Sequence, residues 1–187
     1  MTEDHTSWDC VRCSAKTSSG ARCKRQTCKY SDMCWQHTYK IKKLRIGKSG
    51  IPNSGDGLFA LRDFEPNEII IEYGGKRVPA KEYRKGKGTY GIELSSKMVV
   101  DAKSTQSNLG RWANHCRAQD KRKKHCKGNN AFFSLFRGNK RRGKRAMINV
   151  RADYEDRPAS EVRKGGIKKG EEIFVNYGSD YWREQST

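Results

Sequence analysis

At 187 residues the chain has room for one ordinary domain and a small appendage. Apolar residues make up 34% and charged residues 33%, so the core is modest and the surface heavily solvated. No stretch approaches the ~18 apolar residues of a membrane helix, and Met1-Thr2-Glu3-Asp4-His5 lacks the basic and apolar regions of a secretory signal; a soluble, intracellular protein that is not secreted and has no membrane partner is expected. The formal net charge of +19 selects polyanions as partners, nucleic acid being the commonest. The alternative is a basic surface that is merely solvated. The charge is uneven: from Arg117 to Arg145 there are twelve Lys or Arg and a single acid, Asp120.

Residues 1–40 are polar and carry five cysteines, Cys10, Cys13, Cys23, Cys28 and Cys34. Such a segment cannot bury enough surface to fold unaided, and a structural metal supplies what its core cannot. Without a secretory signal the compartment is read as reducing, which favours metal binding over disulfides. Cys13-x9-Cys23-x10-Cys34-x2-His37 resembles a short zinc-binding motif, since zinc takes four thiolate or imidazole ligands in a tetrahedron. Cys10-x2-Cys13 with Cys34-x2-His37 is a rival set, in which Cys10 and Cys28 exchange roles with Cys23.

Residues 41–46 alternate and predict a strand. Asn53-Ser54-Gly55-Asp56-Gly57 is a turn cluster, followed by a short apolar strand over 58–61. Residues 64–68 form a turn, and Ile69-Ile70-Ile71-Glu72-Tyr73 is a β-branched strand ending at Gly74-Gly75. Residues 79–84 predict one or two helical turns, and 89–94 with 98–101 a hairpin. The stretch 107–114 has no clear period. Residues 131–137 and 145–152 are strands around a basic turn, 138–144; residues 153–165, with Pro158, are a surface loop; 173–177 is a final strand. Many short strands, little helix and no βαβ alternation predict a β-rich domain.

Three blocks carry chemistry. Ser54-Gly55-Asp56-Gly57-Leu58-Phe59-Ala60 places glycines where a backbone can approach a ligand closely. Arg111-Trp112-Ala113-Asn114-His115-Cys116 holds an amide and an imidazole side by side. Gly170-Glu171-Glu172-Ile173-Phe174-Val175-Asn176-Tyr177-Gly178 runs from a turn into a strand that ends on a tyrosine. Together and in this order they resemble the signature blocks of the SET-domain protein-lysine methyltransferases. The resemblance implies several small antiparallel sheets with a C-terminal pseudoknot, preceded by the zinc module. It divides the chain into a module over 1–40, a SET domain over 41–180 and a tail over 181–187.

The same resemblance implies methyl transfer from S-adenosylmethionine (SAM) to a lysine amine. Such an enzyme needs an adenosyl pocket, a narrow lysine channel and close placement of the two reactants, with a neutral amine favoured by desolvation. Ser54, Gly55, Asp56 and Gly57 are then expected along the donor, with Arg111, Asn114 and His115; an Asn carbonyl oxygen can accept from an ammonium. Tyr90 matches an aromatic that packs near the cofactor. Tyr177 is the expected catalytic residue, its hydroxyl orienting the amine or, as phenolate, helping to deprotonate it.

The chain departs from the family in three places. The Asn-His block runs into a basic insertion, 117–125, and Asn129 or Asn130 stands as the second asparagine. No cysteine follows Cys126, so a C-terminal zinc module is missing, and Tyr181 and Trp182 are expected to form the channel wall instead. Val175 occupies the position that often tunes methyl number. The expected substrate is a histone tail or another lysine-bearing protein, and the expected place is nuclear chromatin. Because tail and enzyme are both cationic, nucleosomal DNA is expected to supply attraction through 121–124 and 140–145, while Glu93, Glu171 or Glu172 meet the tail. A non-catalytic zinc-finger nucleic-acid binder on a degenerate SET scaffold is the alternative.

Overall fold

The structure is a computed structural model; it describes residues 11–27, 33–86, 88–104, 108–117, 126–137, 144–150, 166–179 and 181. Cys10, Cys28, Trp182, the expected loop 153–165 and most of both basic stretches lie outside the described residues. Four small antiparallel sheets make up the architecture. A two-residue hairpin, β1 (Val11–Arg12) with β2 (Gln26–Thr27), opens the chain. A single helical turn, α1 (Trp35–His37), continues as a π-turn over Thr38–Lys42. Next come β3 (Leu44–Lys48) paired with β4 (Asp56–Ala60).

The third sheet has the order β6-β8-β7, from β6 (Lys76–Pro79), β7 (Gly91–Ser95) and β8 (Met98–Asp101), with α2 (Ala80–Lys85) between β6 and β7. The fourth has the order β5-β10-β9, from β5 (Ile69–Tyr73), β9 (Ala131–Arg137) and β10 (Lys144–Val150). A 3-10 turn over Leu109–Trp112 leads into the Asn-His block, and Asn108 caps it by accepting from the Gly110 N–H. The β-rich expectation and the hairpin 91–101 stand as read.

Two elements differ from the sequence reading. Residues 41 and 42 are helical, and the strand starts at Leu44. The helical turn that carries His37 runs on through Lys42 and stops at Lys43, whose φ of 54° is left-handed; a non-glycine residue adopts that geometry where a helix ends. The final strand is not a regular strand. Residues 172–175 make isolated bridges with three partners in turn: Glu172 with Phe59, Phe174 with Asn114, and Val175 with Ala131. It pairs with no one neighbour long enough to form a ladder, because it is threaded between separate segments.

That threading fills the core. Ile173 and Val175 are fully buried among Leu44, Leu58, Ile148 and Ile167. Ile173 N–H donates to Leu58 O at 2.7 Å and Val175 N–H to Asn114 O at 2.8 Å. The two candidate asparagines divide the work. Asn130 clamps the threaded segment, donating from Nδ2 to Glu172 O at 2.9 Å and accepting from Phe174 N–H at 2.8 Å. Asn129 accepts from Cys116 N–H at 2.9 Å.

Cys13, Cys23 and Cys34 are in no disulfide. Cys116 and Cys126 instead form a disulfide at the base of the insertion, packed with Ile51 and Phe174. Substituting Ile173→Ala should cost roughly 2–5 kcal/mol, the usual range for emptying a buried aliphatic site, read as a lower urea midpoint.

Candidate active site and metal centre

A cavity of about 530 Å³ opens where β4, β5, β7, the 3-10 turn and the threaded segment converge. Its size is ordinary for a small-molecule site. Ser54, Asp56, Tyr90, Arg111, Asn114, His115 and Tyr177 all line it, so residues spread over more than a hundred positions meet at one place. Gly55 and Gly57 are not on its wall. Gly55 takes a φ of 69° with open space around it, which lets the loop turn between Ser54 and Asp56. Gly57 is pressed against the Glu172 carboxylate, where no Cβ fits. Its missing side chain makes room for that acid and leaves the cavity to its neighbours.

Asn114 is held from behind. Its Nδ2 donates to Asp56 O at 3.0 Å and to Glu172 Oε1 at 3.1 Å. Both amide hydrogens are thereby used, which leaves the side-chain oxygen to accept from a ligand. His115 Nδ1 accepts from the Tyr177 backbone N–H at 3.0 Å, so the ring proton resides on Nε2. The same imidazole stands edge-to-face with the Tyr177 ring, centroids 5.4 Å apart.

Tyr177 donates its hydroxyl to Ala113 O at 2.8 Å. Burial pushes its phenol far above the ordinary range, with Tyr73 adding to the effect. A phenolate is therefore disfavoured, and the expectation of a tyrosinate base gives way to a neutral hydroxyl fixed in direction. Around it stands an aromatic wall. Tyr73 donates to Tyr90 O at 3.0 Å and meets Phe133 edge-to-face at 5.3 Å. Tyr181 meets Tyr177 edge-to-face at 4.8 Å. Arg111 donates from Nε to Ala102 O and lies 4.4 Å over Tyr90 and 4.6 Å over Trp112.

The sequence reading missed Tyr73, Trp112 and Phe133 on this wall, because short apolar runs do not show which side chain faces a cavity. It also misplaced Glu172. That residue is only 6% exposed, so it cannot meet a substrate tail. Its carboxylate accepts from Ser49 Oγ at 2.7 Å, Gly50 N–H at 2.9 Å and Asn114 Nδ2. The signal was available in Gly170-Glu171-Glu172: in an extended segment adjacent side chains face opposite ways, so one of the pair turns inward. Glu171 accepts from Lys168 N–H. Glu93 is exposed at the cavity mouth and pairs with Arg84. Val175 is fully buried in the core rather than on the cavity wall.

The SET domain family model matches residues 55–178, about two-thirds of the chain. The chain belongs to the SET-domain family. Histone-lysine N-methyltransferase trithorax of Drosophila melanogaster is 34% identical to it over 70 residues, 33% of this chain and 2% of that protein. The polycomb repressive complex 2 of Chaetomium thermophilum superposes with a TM-score of 0.55 at 27% identity, over 73% of this chain and 15% of that one. The same complex in an autoinhibited conformation bound to S-adenosylmethionine gives 0.54 and 25% over 76% and 16%. The chain thus spans a small part of each relative's length. Among the described residues, no helix is long and apolar enough to cross a membrane.

Away from this cavity, the donor atoms of Cys13, Cys23, Cys34 and His37 lie within 4.8 Å of one another. His37 Nδ1 is 3.3 Å from Cys34 Sγ and 3.6 Å from Cys13 Sγ, near the roughly 3.5 Å edge that a zinc tetrahedron requires. All three cysteines are buried. The cluster fits zinc, and it is the quartet of the Cys-x9-Cys-x10-Cys-x2-His reading.

Two outcomes are expected. Replacing Glu172 by Gln sets an amide donor against the donors of Ser49, Gly50 or Asn114 and should weaken SAM binding by about tenfold, or ~1.4 kcal/mol, in calorimetry. Glu171→Gln should bind within about twofold of wild type; equal affinity in all three proteins would refute a positioning role for Glu172. Metal analysis of the purified protein should find one zinc per chain, retained in Cys10→Ser and Cys28→Ser and lost in Cys34→Ser.

Proposed function

We propose that this chain is a SAM-dependent protein-lysine N-methyltransferase whose substrate is a histone tail presented on nucleosomes. Membership of the SET family and likeness to a histone-lysine methyltransferase and to a SAM-bound complex support the reaction class. The observation that carries the reading is the meeting of Asn114, His115 and Tyr177 at one cavity, with the tyrosine hydroxyl anchored on a backbone carbonyl.

SAM, when bound, supplies an electrophilic methyl on a sulfonium. Ser54, Asp56, Arg111, Asn114 and His115 are the residues assigned to hold it, with Gly55 and Gly57 shaping the loop behind. The Asn114 oxygen accepts from an ammonium of the donor. Tyr177 and Tyr181 form the lysine channel, and Tyr90 packs beside the donor. Burial among rings disfavours a charged amine, so lysine arrives closer to its nucleophilic neutral form. The Tyr177 hydroxyl and the Ala113 carbonyl then orient the lone pair towards the methyl. Tyr181, edge-to-face with Tyr177, serves as a wall of that channel.

The domain division follows the same lines: a zinc module over about 1–40 and a SET unit whose first strand, β3, pairs with β4. A cationic enzyme and a cationic tail repel, so attraction on chromatin comes from DNA, and the reading places the protein in the nucleus. The basic stretches 121–124 and 140–143 lie outside the described residues.

Mass spectrometry of recombinant nucleosomes incubated with SAM should report added methyl groups on a lysine. Tyr177→Phe should lower the rate by about 10²-fold or more, the scale of a missing positioning or proton-handling group, with SAM affinity within a few-fold. If the wild-type chain neither binds SAM nor methylates any lysine, a non-catalytic SET scaffold is the correct description.

A further inference from the structure

Four cations of the SET unit are paired with acids. Arg62 pairs with Glu68, Arg84 with Glu93, Arg145 with Glu72 and Lys168 with Asp63. Upstream the balance fails. From Arg12 to Lys48 the sequence has eleven Lys or Arg and one acid, Asp32. Among the described residues, no ion pair uses a cation from that stretch. Like charges gathered without internal counter-charge repel one another, and an external polyanion relieves the repulsion.

The surface that displays them is cross-linked by hydrogen bonds. Arg12 donates to Cys23 O at 3.0 Å and Arg22 O at 3.0 Å, while Arg22 donates to Cys13 O at 3.1 Å and Arg12 O at 2.8 Å. These two arginines thereby lock the hairpin next to the metal cluster. Lys16, Lys24, Arg25, Lys40, Lys42 and Lys43 stay exposed on that frame. The π-turn then leads directly into β3 and a second cavity, about 430 Å³, lined among others by Arg45, Lys48, Lys127 and Gly128. Arg45 is held 4.2 Å over the Phe59 ring. The wall also carries two acids, Glu171, which accepts from Lys168 N–H, and the buried Glu172, which accepts from Ser49, Gly50 and Asn114.

We propose that the zinc module, the π-turn and β3 form a docking face for the phosphate backbone of double-stranded DNA, with one phosphate seated between Arg45, Lys48 and Lys127. The face deepens the nucleosomal setting proposed above, and rests on that reading for the setting alone. A run of cations more than thirty residues long suits a long, regular polyanion, which in duplex DNA offers one charge per about 1.7 Å, rather than a small anion. Single-stranded RNA is recognised largely by stacking on aromatic side chains, and Tyr39 is the exposed aromatic among the described side chains of this face.

The test uses the full chain, a labelled duplex and fluorescence anisotropy over a range of salt. The quadruple variant Lys40→Glu, Lys42→Glu, Arg45→Glu, Lys127→Glu should bind at least about tenfold more weakly. Its salt dependence should be shallower by roughly 0.9 for each phosphate that the variant no longer neutralises. Zinc content, SAM affinity and methylation of a free tail peptide should match wild type, while methylation of nucleosomes should fall. A milder Lys40→Ala, Lys42→Ala protein should lie between the two. Unchanged DNA affinity in the quadruple variant overturns the proposal. So does a full loss of binding when 121–124 alone are neutralised, or tighter binding to single-stranded RNA than to duplex. If wild-type protein neither binds SAM nor methylates nucleosomes or free peptide while the DNA result holds, the methyltransferase reading fails and the docking face stands.

Discussion

The buried carboxylate of Glu172 is the constraint on which the site depends. It enters the interior on a segment that pairs with a different partner at every step, and it ties together the loop after β3, the Asn-His block and the threaded segment. Through Ser49 and Gly50 it holds the loop after β3, and through Asn114 it holds the block that faces the cavity. Gly57 leaves it room. Truncating such a group strands several buried donors at once, each costing about 1–3 kcal/mol. The carboxylate is therefore needed for the fold and for the geometry of the cavity by the same hydrogen bonds.

Tyr177 likewise serves several purposes at once. Its backbone N–H sets the His115 tautomer, its ring packs against that imidazole and against Tyr181, and its hydroxyl is anchored on Ala113. A group fixed in four directions can orient a reactant without reorganising, which is where much of the gain in a displacement reaction arises. Burial also pushes its phenol well above the ordinary range, which disfavours a phenolate.

How far these features were legible differs by element. Ile69–Tyr73 and Met98–Asp101 were readable because β-branched runs bounded by glycine or turns have few other solutions. The metal quartet was readable from spacing, although choosing Cys23 over Cys10 and Cys28 was not, because a thiolate's reach depends on the path of the loops between. Residues 173–177 read as a strand because Ile173-Phe174-Val175 is a short apolar run after a turn; in the fold the partners of 172–175 change along the segment, and local pattern carries no information about partners. Asn129 and Asn130 were interchangeable on paper. They are neighbours facing opposite ways, so one clamps the threaded segment and the other caps the loop at Cys116.

The sequence by itself determined the family, the β-rich class, seven of the residues that meet at the cavity and a four-residue Cys/His set suited to zinc. Each of these resides in residue types, order and spacing. Only the tertiary structure decided that Glu172 faces inward, that Gly57 serves the acid rather than the ligand, that Tyr73, Trp112 and Phe133 complete the aromatic wall, and that Tyr181 stands against Tyr177. Except for the Tyr177–Tyr181 contact, these depend on the meeting of segments about fifty to more than a hundred positions apart. Which side of a chain is buried there is set by what it packs against, and packing partners at that separation leave no periodic trace in the sequence.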